Sequence, residues 1–332
     1  MALIYKLKKV DKIMTNVINM FKNVSALNTY RNYGDADFTV DKAPLTYITN
    51  EGEVLRSRKE VIYRTDTGVE LGVHGARYSN TEELSYRKMI DNQRLCIERS
   101  GLDINGLEET IKVSHYGAKC FVRHSLPAVG FMTPDGDRAT LSFLSVSSLD
   151  GSWPFIMSVG AKQNACMNGQ IFVSKAAMLY KSRHTKNLDI DKGARVIHEA
   201  TKVFEMEVDL WFQWAKETKT NMEAFLSFAK AAQAKFVFSY LKEFPNAGVG
   251  ELLLQPHIYN NSALIYMWDK WSTHYSKVLG NNKWGLYNTM TDWSTHAPSS
   301  TSKTVDNIAS ISYKRAEQVK DTMITMEKLR NV

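Results

Sequence analysis

The sequence is poor in the features that mark a secreted or membrane-spanning protein. Only three cysteines occur among 332 residues. Cys96, Cys120 and Cys166 form no CxxC pair, which argues against a disulfide framework and a zinc ribbon. No uninterrupted apolar run approaches about 18 residues, and the lysine-containing N-terminus lacks an apolar stretch followed by a small-residue cleavage site. These absences predict a protein of the reducing cytoplasm that has no membrane partner.

The motifs of several common catalytic classes are also missing. There is no GxSxG, Walker P-loop or GxGxxG, and the HExxH pattern that begins at His198 is broken by Lys202. The triplet Asp66–Gly68 matches an aspartic-protease motif, but that chemistry needs two such carboxylates. The β-prone residues around this single copy predict a hairpin turn instead. The sequence therefore predicts no cofactor and no metal, and it leaves open whether the protein is an enzyme.

Acidic residues are absent from one long stretch of the chain. The net charge is +7, of which residues 1–150 contribute 20 − 19 = +1 and residues 151–332 contribute 22 − 16 = +6. From Gly151 to Leu188 there is no Asp or Glu, and cations interleaved with aromatic residues are typical of a surface that binds single-stranded nucleic acid. The alternative is that these aromatics face the core and the lysines form a solvated rim. The nucleic-acid candidates in this acid-free tract are Lys162, Lys175, Lys181, Arg183, Lys186, Trp153 and Tyr180.

Three arginines add a second basic feature. Arg56, Arg58 and Arg64 share parity along one predicted strand. Several arginines on one face of a strand suit a phosphate backbone, although they could equally form the ordinary solvated face of a two-layer sheet.

Hydrophobic periodicity divides the chain into two halves. Short β-branched runs separated by turns dominate the first half, with a helix predicted from Thr81 to Gly101 and a bulge or bend at Gly117. Helical patterns dominate the second half, where tryptophans at helical spacing are predicted to be buried. The predicted fold class is α+β, an antiparallel β-rich N-terminal half with one or two helices followed by an α-helical C-terminal half. Residues 1–188 are predicted to form the core domain, and residues 189–332 a helical region that packs on it or mediates oligomerisation.

Three polar residues share one face of a predicted C-terminal helix. Asn288, Asp292 and His296 are spaced i, i+4, i+8. They could hold a metal or orient a catalytic histidine through a carboxylate. Because a metal site would need further ligands that the sequence does not place, the pattern favours a hydrogen-bond ladder that closes the helix before Pro298.

Three short segments carry a family resemblance. The run DGSWPFIMSVGAKQNACMNGQIF, the segment Ser182–Asn187 and the segment Trp284–His296 resemble the DGS…C-x-N, His-Thr and W-x-x-x-N-x-x-T-D-x-x-x-H segments of a family of phage- and plasmid-encoded proteins with a domain of unknown function. Two departures stand at Gln163–Ala165, where a basic residue is expected, and at Gly169, where Thr is common. The positions that the resemblance marks are Asp150, Gly151, Ser152, Cys166, Asn168, His184, Thr185, Trp284, Asn288, Asp292 and His296.

These observations together predict a phage or mobile-element protein that binds and anneals single-stranded DNA in replication or recombination. It would act as a homo-oligomer in the host cytoplasm. One alternative is an enzyme in which Asp150, His184, Asp292 and His296 converge in one pocket, with histidine as the acid or base. Another is a structural or host-interaction protein whose tryptophan-rich helices provide oligomer contacts.

Overall fold

The structure of the chain is a computed structural model that describes residues 32–75, 85–163, 169–171, 178–182, 190–298 and 308–330. It contains two compact units. The predicted boundary between residues 188 and 189 lies outside the described residues. The first unit contains the described residues up to Val129, with Leu141–Val159 and Met178–Thr201; the second contains Gly130–Thr140 and the described residues of 160–177 and from Lys202 onward.

The first unit contains a three-stranded antiparallel sheet. Its strands are β1 (Val40–Ile48), β2 (Val54–Arg64) and β3 (Glu70–Gly75), in the order β1-β2-β3. The predicted hairpin between β2 and β3 is confirmed: Gly68 has a φ of +70°, and its amide donates to the carbonyl oxygen of Arg64 at 2.9 Å. The aspartate of this hairpin is therefore a turn residue.

A larger antiparallel sheet follows in the chain. Among the described residues it has six strands in the order β4-β5-β6-β7-β8, with β9 also paired to β7. The bulge or bend predicted at Gly117 is a full reversal of the chain over His115–Gly117, so β4 and β5 are antiparallel neighbours. The strands are β4 (Glu108–Ser114), β5 (Lys119–Met132), β6 (Arg138–Ser148), β7 (Phe155–Gln163), β8 (Gly169–Ile171) and β9 (Met178–Ser182).

Helix α1 (Tyr86–Arg99) begins later than the sequence predicted. Ser85 has an extended backbone, with φ −61° and ψ 129°, as is usual for the residue that precedes a helix. A helix from Thr81 therefore cannot run through this position. The helix packs on both sheets, and their shared core consists of Ala36, Phe38, Ile62, Leu71, Tyr86, Ile90, Ala118, Cys120, Val122 and Leu149.

A buried ion network joins α1 to the β4–β5 pair. Arg94 donates to both carboxylate oxygens of Glu109 at 2.8 and 2.6 Å, and His124 Nε2 donates to the same carboxylate at 2.7 Å. The three side chains are at most 7% exposed. Glu109 and His124 are directly opposed across β4 and β5, so the strand register brings them together. This cluster is called the Arg94–Glu109–His124 network below.

Helix α2 (Ile190–Lys216) packs its first turns against the end of α1. A Cβ on Gly193 would lie 2.5 Å from Cys96 Sγ. His198 Nδ1 donates to the carbonyl oxygen of Ser100 at 3.0 Å. The close approach at position 193 leaves no room for a side chain.

We expect Gly193→Ala to lower the free energy of unfolding by about 1–3 kcal/mol, because the added methyl group overlaps a buried sulfur atom. Urea unfolding monitored by circular dichroism measures this change. Adding Cys96→Ala removes the overlapping atom, so the double variant should be more stable than Gly193→Ala alone. A double variant with no such recovery would contradict this packing.

The second unit is built largely of helices with an aromatic core. Trp211, Trp214 and Trp271 are fully buried, as predicted, whereas Trp268, predicted with them, is only half-buried. The ring centroids of Trp284 and Trp211 lie 5.3 Å apart. The helical pattern of residues 219–243 is divided into two helices, because Gln233 adopts a left-handed φ of +54°.

The remaining helices of the described residues follow in chain order. A π-helical segment, Trp271–Tyr275, connects α7 to α8. The helices are α3 (Asn221–Ala231), α4 (Lys235–Glu243), α5 (Val249–Leu253), α6 (Pro256–Tyr259), α7 (Ser262–Lys270), α8 (Ser276–Val278), α9 (Lys283–His296) and α10 (Ile308–Arg330).

The predicted α+β fold class is confirmed. Antiparallel sheets occupy the N-terminal half and helices the C-terminal half of the described chain. None of the helices in these described ranges has both the length and the apolar character needed to cross a membrane.

Candidate nucleic-acid interface

The distal part of the β1–β2 hairpin is a two-stranded ribbon. Thr46, Tyr47 and Ile48 pair with Arg56, Leu55 and Val54. In the described part of the chain, β3 pairs with β2 only from Lys59 to Tyr63, so the ribbon extends past the three-stranded sheet. None of its residues is buried. It is called the β1–β2 arm, residues 46–48 and 54–58, below.

The arm exposes both cations and apolar side chains. Arg56 and Arg58 are exposed, and neither makes a hydrogen bond or an ion pair with the residues the structure describes. Tyr47 is 53% and Ile48 72% exposed. Strand alternation places Tyr47 and Leu55 on one face of the ribbon, and Arg56 and Arg58 on the other face together with Ile48 and Val54.

The third arginine of β2 is already engaged within the protein. Arg64 donates through Nε and Nη2 to the two carboxylate oxygens of Asp66 at 2.9 and 2.7 Å, and its guanidinium lies 4.1 Å from the Phe38 ring centroid. The hydrogen bonds from Arg64 hold the pKa of Asp66 below its usual range. The structure therefore separates Arg64 from the two unpaired arginines of the arm.

The acid-free tract forms strands β7, β8 and β9. Lys162 lies on β7 opposite Gly169 of β8. Tyr180 and Lys181 lie on β9 opposite Met157 and Ile156 of β7. The remaining candidate residues of the acid-free tract, including those of its His-Thr segment, lie outside the described residues. They are Cys166, Asn168, Lys175, Arg183, His184, Thr185 and Lys186.

The DGS segment connects β6 to β7 as a turn held by its own hydrogen bonds. We call residues 148–153 the Asp150 turn. The Ser152 amide donates to Asp150 Oδ1 at 2.8 Å. Ser148 Oγ accepts from the Trp153 amide at 2.8 Å and donates to the Trp153 carbonyl oxygen at 3.1 Å. Asp150 and Ser152 thus have a structural role in shaping the turn.

The Asp150 turn packs closely on strand β3. His74 Nε2 donates to the carbonyl oxygen of Leu149 at 2.5 Å. Gly151 has a φ of +73°, and a Cβ there would lie 2.6 Å from His74 Cε1. A Cβ on Gly72 would lie 2.6 Å from Asp150 Cα. Gly72 therefore lets the backbones of the turn and the strand touch, and Gly151 leaves room for the His74 ring.

A lysine and a tryptophan flank the carboxylate of the turn. Lys119 Nζ lies 3.9 Å from Asp150 Oδ2 and 4.3 Å from the Trp153 ring centroid. Partial burial by itself raises the pKa of Asp150, but hydrogen bonds from Ser152 and Ser148 and the charge of Lys119 outweigh it. The pKa of Asp150 consequently lies below its usual range, and the carboxylate is ionised at neutral pH.

Two of the three polar residues predicted to share a helix face, Asp292 and His296 on α9, belong to a charged cluster. His296 Nδ1 donates to Asp292 Oδ1 at 3.0 Å, and Lys270 Nζ lies 3.9 Å from Asp292 Oδ2. Burial and the nearby charge of Asp292 raise the pKa of Tyr266 to about 12, and its hydroxyl donates to Asp292 Oδ1 at 3.4 Å. A carboxylate bound to Nδ1 fixes the histidine tautomer and leaves Nε2 able to accept a proton.

Asn288 has a different role on the same helix. Its side-chain amide is buried and donates to the carbonyl oxygen of Trp284 one turn earlier, at 3.0 Å. Trp284 Nε1 in turn donates to Asp135 Oδ1 at 3.1 Å. Helix α9 also packs against strand β8, which directly follows the Cys166–Asn168 segment.

A family model described as a domain of unknown function (DUF932) matches residues 70–320, three quarters of the chain. The chain belongs to the DUF932 family. No curated protein and no solved structure matches it. The DUF932 match begins at β3, so the Asp150 turn, the acid-free tract and α9 lie inside the domain, whereas the β1–β2 arm precedes it.

The DUF932 domain brings together one pair of the predicted catalytic residues. Asp292 and His296 are hydrogen-bonded in the second unit, Asp150 belongs to the first unit, and His184 lies outside the described residues. The enzymatic alternative therefore stays a prediction. Within the described ranges, no group of three or more His, Cys, Asp or Glu side chains is placed to hold a metal ion.

Sequence reasoning missed three residues near the Asp150 turn of the DUF932 domain. His74 and Lys119 contact the turn from β3 and β5, and Tyr116 lies in the neighbouring reversal. Gly117 was the only local signal for this region, since it predicted a bend. Lys119 and His74 lie 31 and 76 positions before Asp150, so no short-range pattern connects them to it.

Proposed function

We propose that the protein binds single-stranded DNA. The observation that carries this proposal is the pair of exposed arginines on the β1–β2 arm, which have no partner among the described residues. Unpaired cations on an exposed ribbon can follow the phosphates, while exposed aromatic and aliphatic side chains contact bases. The basic, acid-free composition of β7–β9 and their connections supports the same chemistry at a second place in the chain.

The biological setting is part of this proposal. The resemblance of the Asp150 turn and the C-terminal helix to segments of phage- and plasmid-encoded proteins supports a role in replication or recombination of mobile DNA. The form of activity we propose is the annealing of complementary strands by a homo-oligomer. The arm exposes the apolar side chains of Ile48 and Val54, which would contact a second copy of the chain.

We expect Arg56→Gln combined with Arg58→Gln to weaken binding to a labelled oligothymidylate about 2- to 30-fold at low salt, since each exposed charge pair contributes roughly 0.2–1 kcal/mol. Losing two phosphate contacts should also reduce the slope of log affinity against log salt by about 1.4, at roughly 0.7 per contact. Fluorescence anisotropy over a salt series measures both quantities.

A matched control removes two cations elsewhere. Lys230 and Lys242 are exposed lysines on α3 and α4, and replacing both with glutamine lowers the net charge equally. Their loss should leave the salt slope unchanged. Wild-type protein that does not bind the oligonucleotide at low salt would overturn the proposed function, and equal slopes for both double variants would remove the arm from the interface.

A further inference from the structure

The reversal between β4 and β5 holds an exposed tyrosine in a costly conformation. His115, Tyr116 and Gly117 have φ values of +54°, +58° and +107°. The left-handed region suits glycine, and a bulky side chain there is an outlier. The Tyr116 side chain is nevertheless 68% exposed. Burial of its ring in the core therefore does not offset the cost of this conformation.

The surrounding structure fixes this reversal in place. Arg64 Nη1 donates to the carbonyl oxygen of Tyr116 at 3.2 Å, and the Ala118 amide donates to that of His115 at 2.9 Å. A Cβ on Gly117 would lie 2.8 Å from Phe38 Cζ. A backbone that is over-determined in this way can keep a strained residue, and such residues cluster at binding sites.

Cations and a second aromatic ring lie beside the reversal. The Ala118 carbonyl oxygen accepts from the Leu149 amide at 2.7 Å, which places the reversal next to the Asp150 turn. There Lys119 lies over the Trp153 ring, and Arg64, which is paired with Asp66, also donates to the backbone carbonyl oxygen of Tyr116. An exposed ring on a rigid backbone, with a basic residue nearby, is suited to stack on a base of a single strand.

We infer that Tyr116 is a base-stacking residue for single-stranded DNA. This inference rests on the proposed function and adds a defined contact to it. Strand β2 connects the two places: Arg58 belongs to the arm and Arg64 contacts Tyr116, six residues or about 20 Å further along the strand. A single strand that follows β2 would meet the arginines of the arm at one end and the Tyr116 ring at the other.

The test compares Tyr116→Ala and Tyr116→Gly with Tyr116→Phe, which keeps a ring. Stacking accounts for about 5- to 150-fold in affinity per base, so the first two variants should lose that much and Tyr116→Phe little. The salt slope should stay at the wild-type value, because the ring carries no charge. Tyr259→Ala is the matched control, since Tyr259 is also 68% exposed, and it should bind like the wild type.

Stability provides the second measurement. Glycine relieves the left-handed conformation, so the unfolding midpoint of Tyr116→Gly should be no lower than that of the wild type. Lower affinity without lower stability identifies a residue kept for binding. Photocrosslinking of wild-type protein to an oligonucleotide containing 5-iodouracil should label the peptide that contains Tyr116. Wild-type affinity in Tyr116→Ala, or crosslinks confined to other peptides, would overturn the inference while leaving the proposed function intact; absence of wild-type binding would overturn both.

Discussion

Replacing Glu109 with glutamine is expected to lower the free energy of unfolding by about 3–5 kcal/mol at neutral pH. The substitution removes the carboxylate that accepts from both Arg94 and His124, and it leaves the buried guanidinium with only the half-exposed carboxylate of Asp91, at 3.2 Å, as its counter-ion. Breaking one side of a buried ion pair costs this much because the remaining charge stays desolvated. Chemical denaturation of the wild type and Glu109→Gln at pH 7 measures the difference.

The same carboxylate makes the protein sensitive to acid. Burial by itself raises the pKa of Glu109, but hydrogen bonds from Arg94 and His124 outweigh it and lower the pKa from 4.5 to about 2. A carboxyl whose pKa falls on folding stabilises the protein fully above its unfolded value and loses that contribution as the pH drops. Here the contribution is about 3 kcal/mol, lost between about pH 5 and pH 2.

Glu109→Gln should therefore lack this part of the acid response. Glu53→Gln is the control, because Glu53 is an exposed glutamate in the turn between β1 and β2; its stability and acid response should follow the wild type. If Glu109→Gln were as stable as the wild type at pH 7 and lost stability equally on acidification, the network would not stabilise the fold.

Replacing Gly72 with alanine is expected to destabilise the protein by about 2–3 kcal/mol and to distort the Asp150 turn. The added Cβ would meet two backbone atoms, Asp150 Cα at 2.6 Å and the Leu149 carbonyl oxygen at 2.8 Å. Backbone atoms cannot rotate away as a side-chain tip can, so the strand and the turn must separate. Amide hydrogen exchange at Ser152 and Trp153 should accelerate, because their donors are held inside the turn.

Gly75→Ala provides a control on the same strand. A Cβ there would meet nothing within 4 Å, so its stability should equal or slightly exceed that of the wild type. Urea denaturation of the two variants separates crowding at position 72 from a general effect of alanine in β3. Equal stability of Gly72→Ala and Gly75→Ala would show that the turn does not rest on this contact.

The features that could be predicted from the sequence depend on residues that lie close together in the chain. The Asp66–Gly68 hairpin follows from turn residues between β-prone runs, and the Asp292–His296 contact follows from a spacing of four on a helix. Burial of Trp211 and Trp214 follows from helical periodicity. Each of these predictions needs only residues that lie close together in the chain.

The remaining features depend on how distant segments meet. Glu109 faces His124 only because β4 and β5 pair in one register, and nothing around either residue indicates an ion network. The contact between Gly72 and Asp150 joins positions 78 residues apart. The break at Gln233 carries neither glycine nor proline, so its left-handed backbone has no signature in the residue type.

The interleaving of the two compact units also limits how this protein could have evolved. The first unit takes Leu141–Val159 and Met178–Thr201 from within the span of the second, so no single cut in the gene separates the two units. Exchange of one unit by recombination between related genomes would divide β5, β6, β7 and α2. The two units are therefore expected to be inherited together. Natural chimaeras should have their junctions near the β1–β2 arm or in the C-terminal helices.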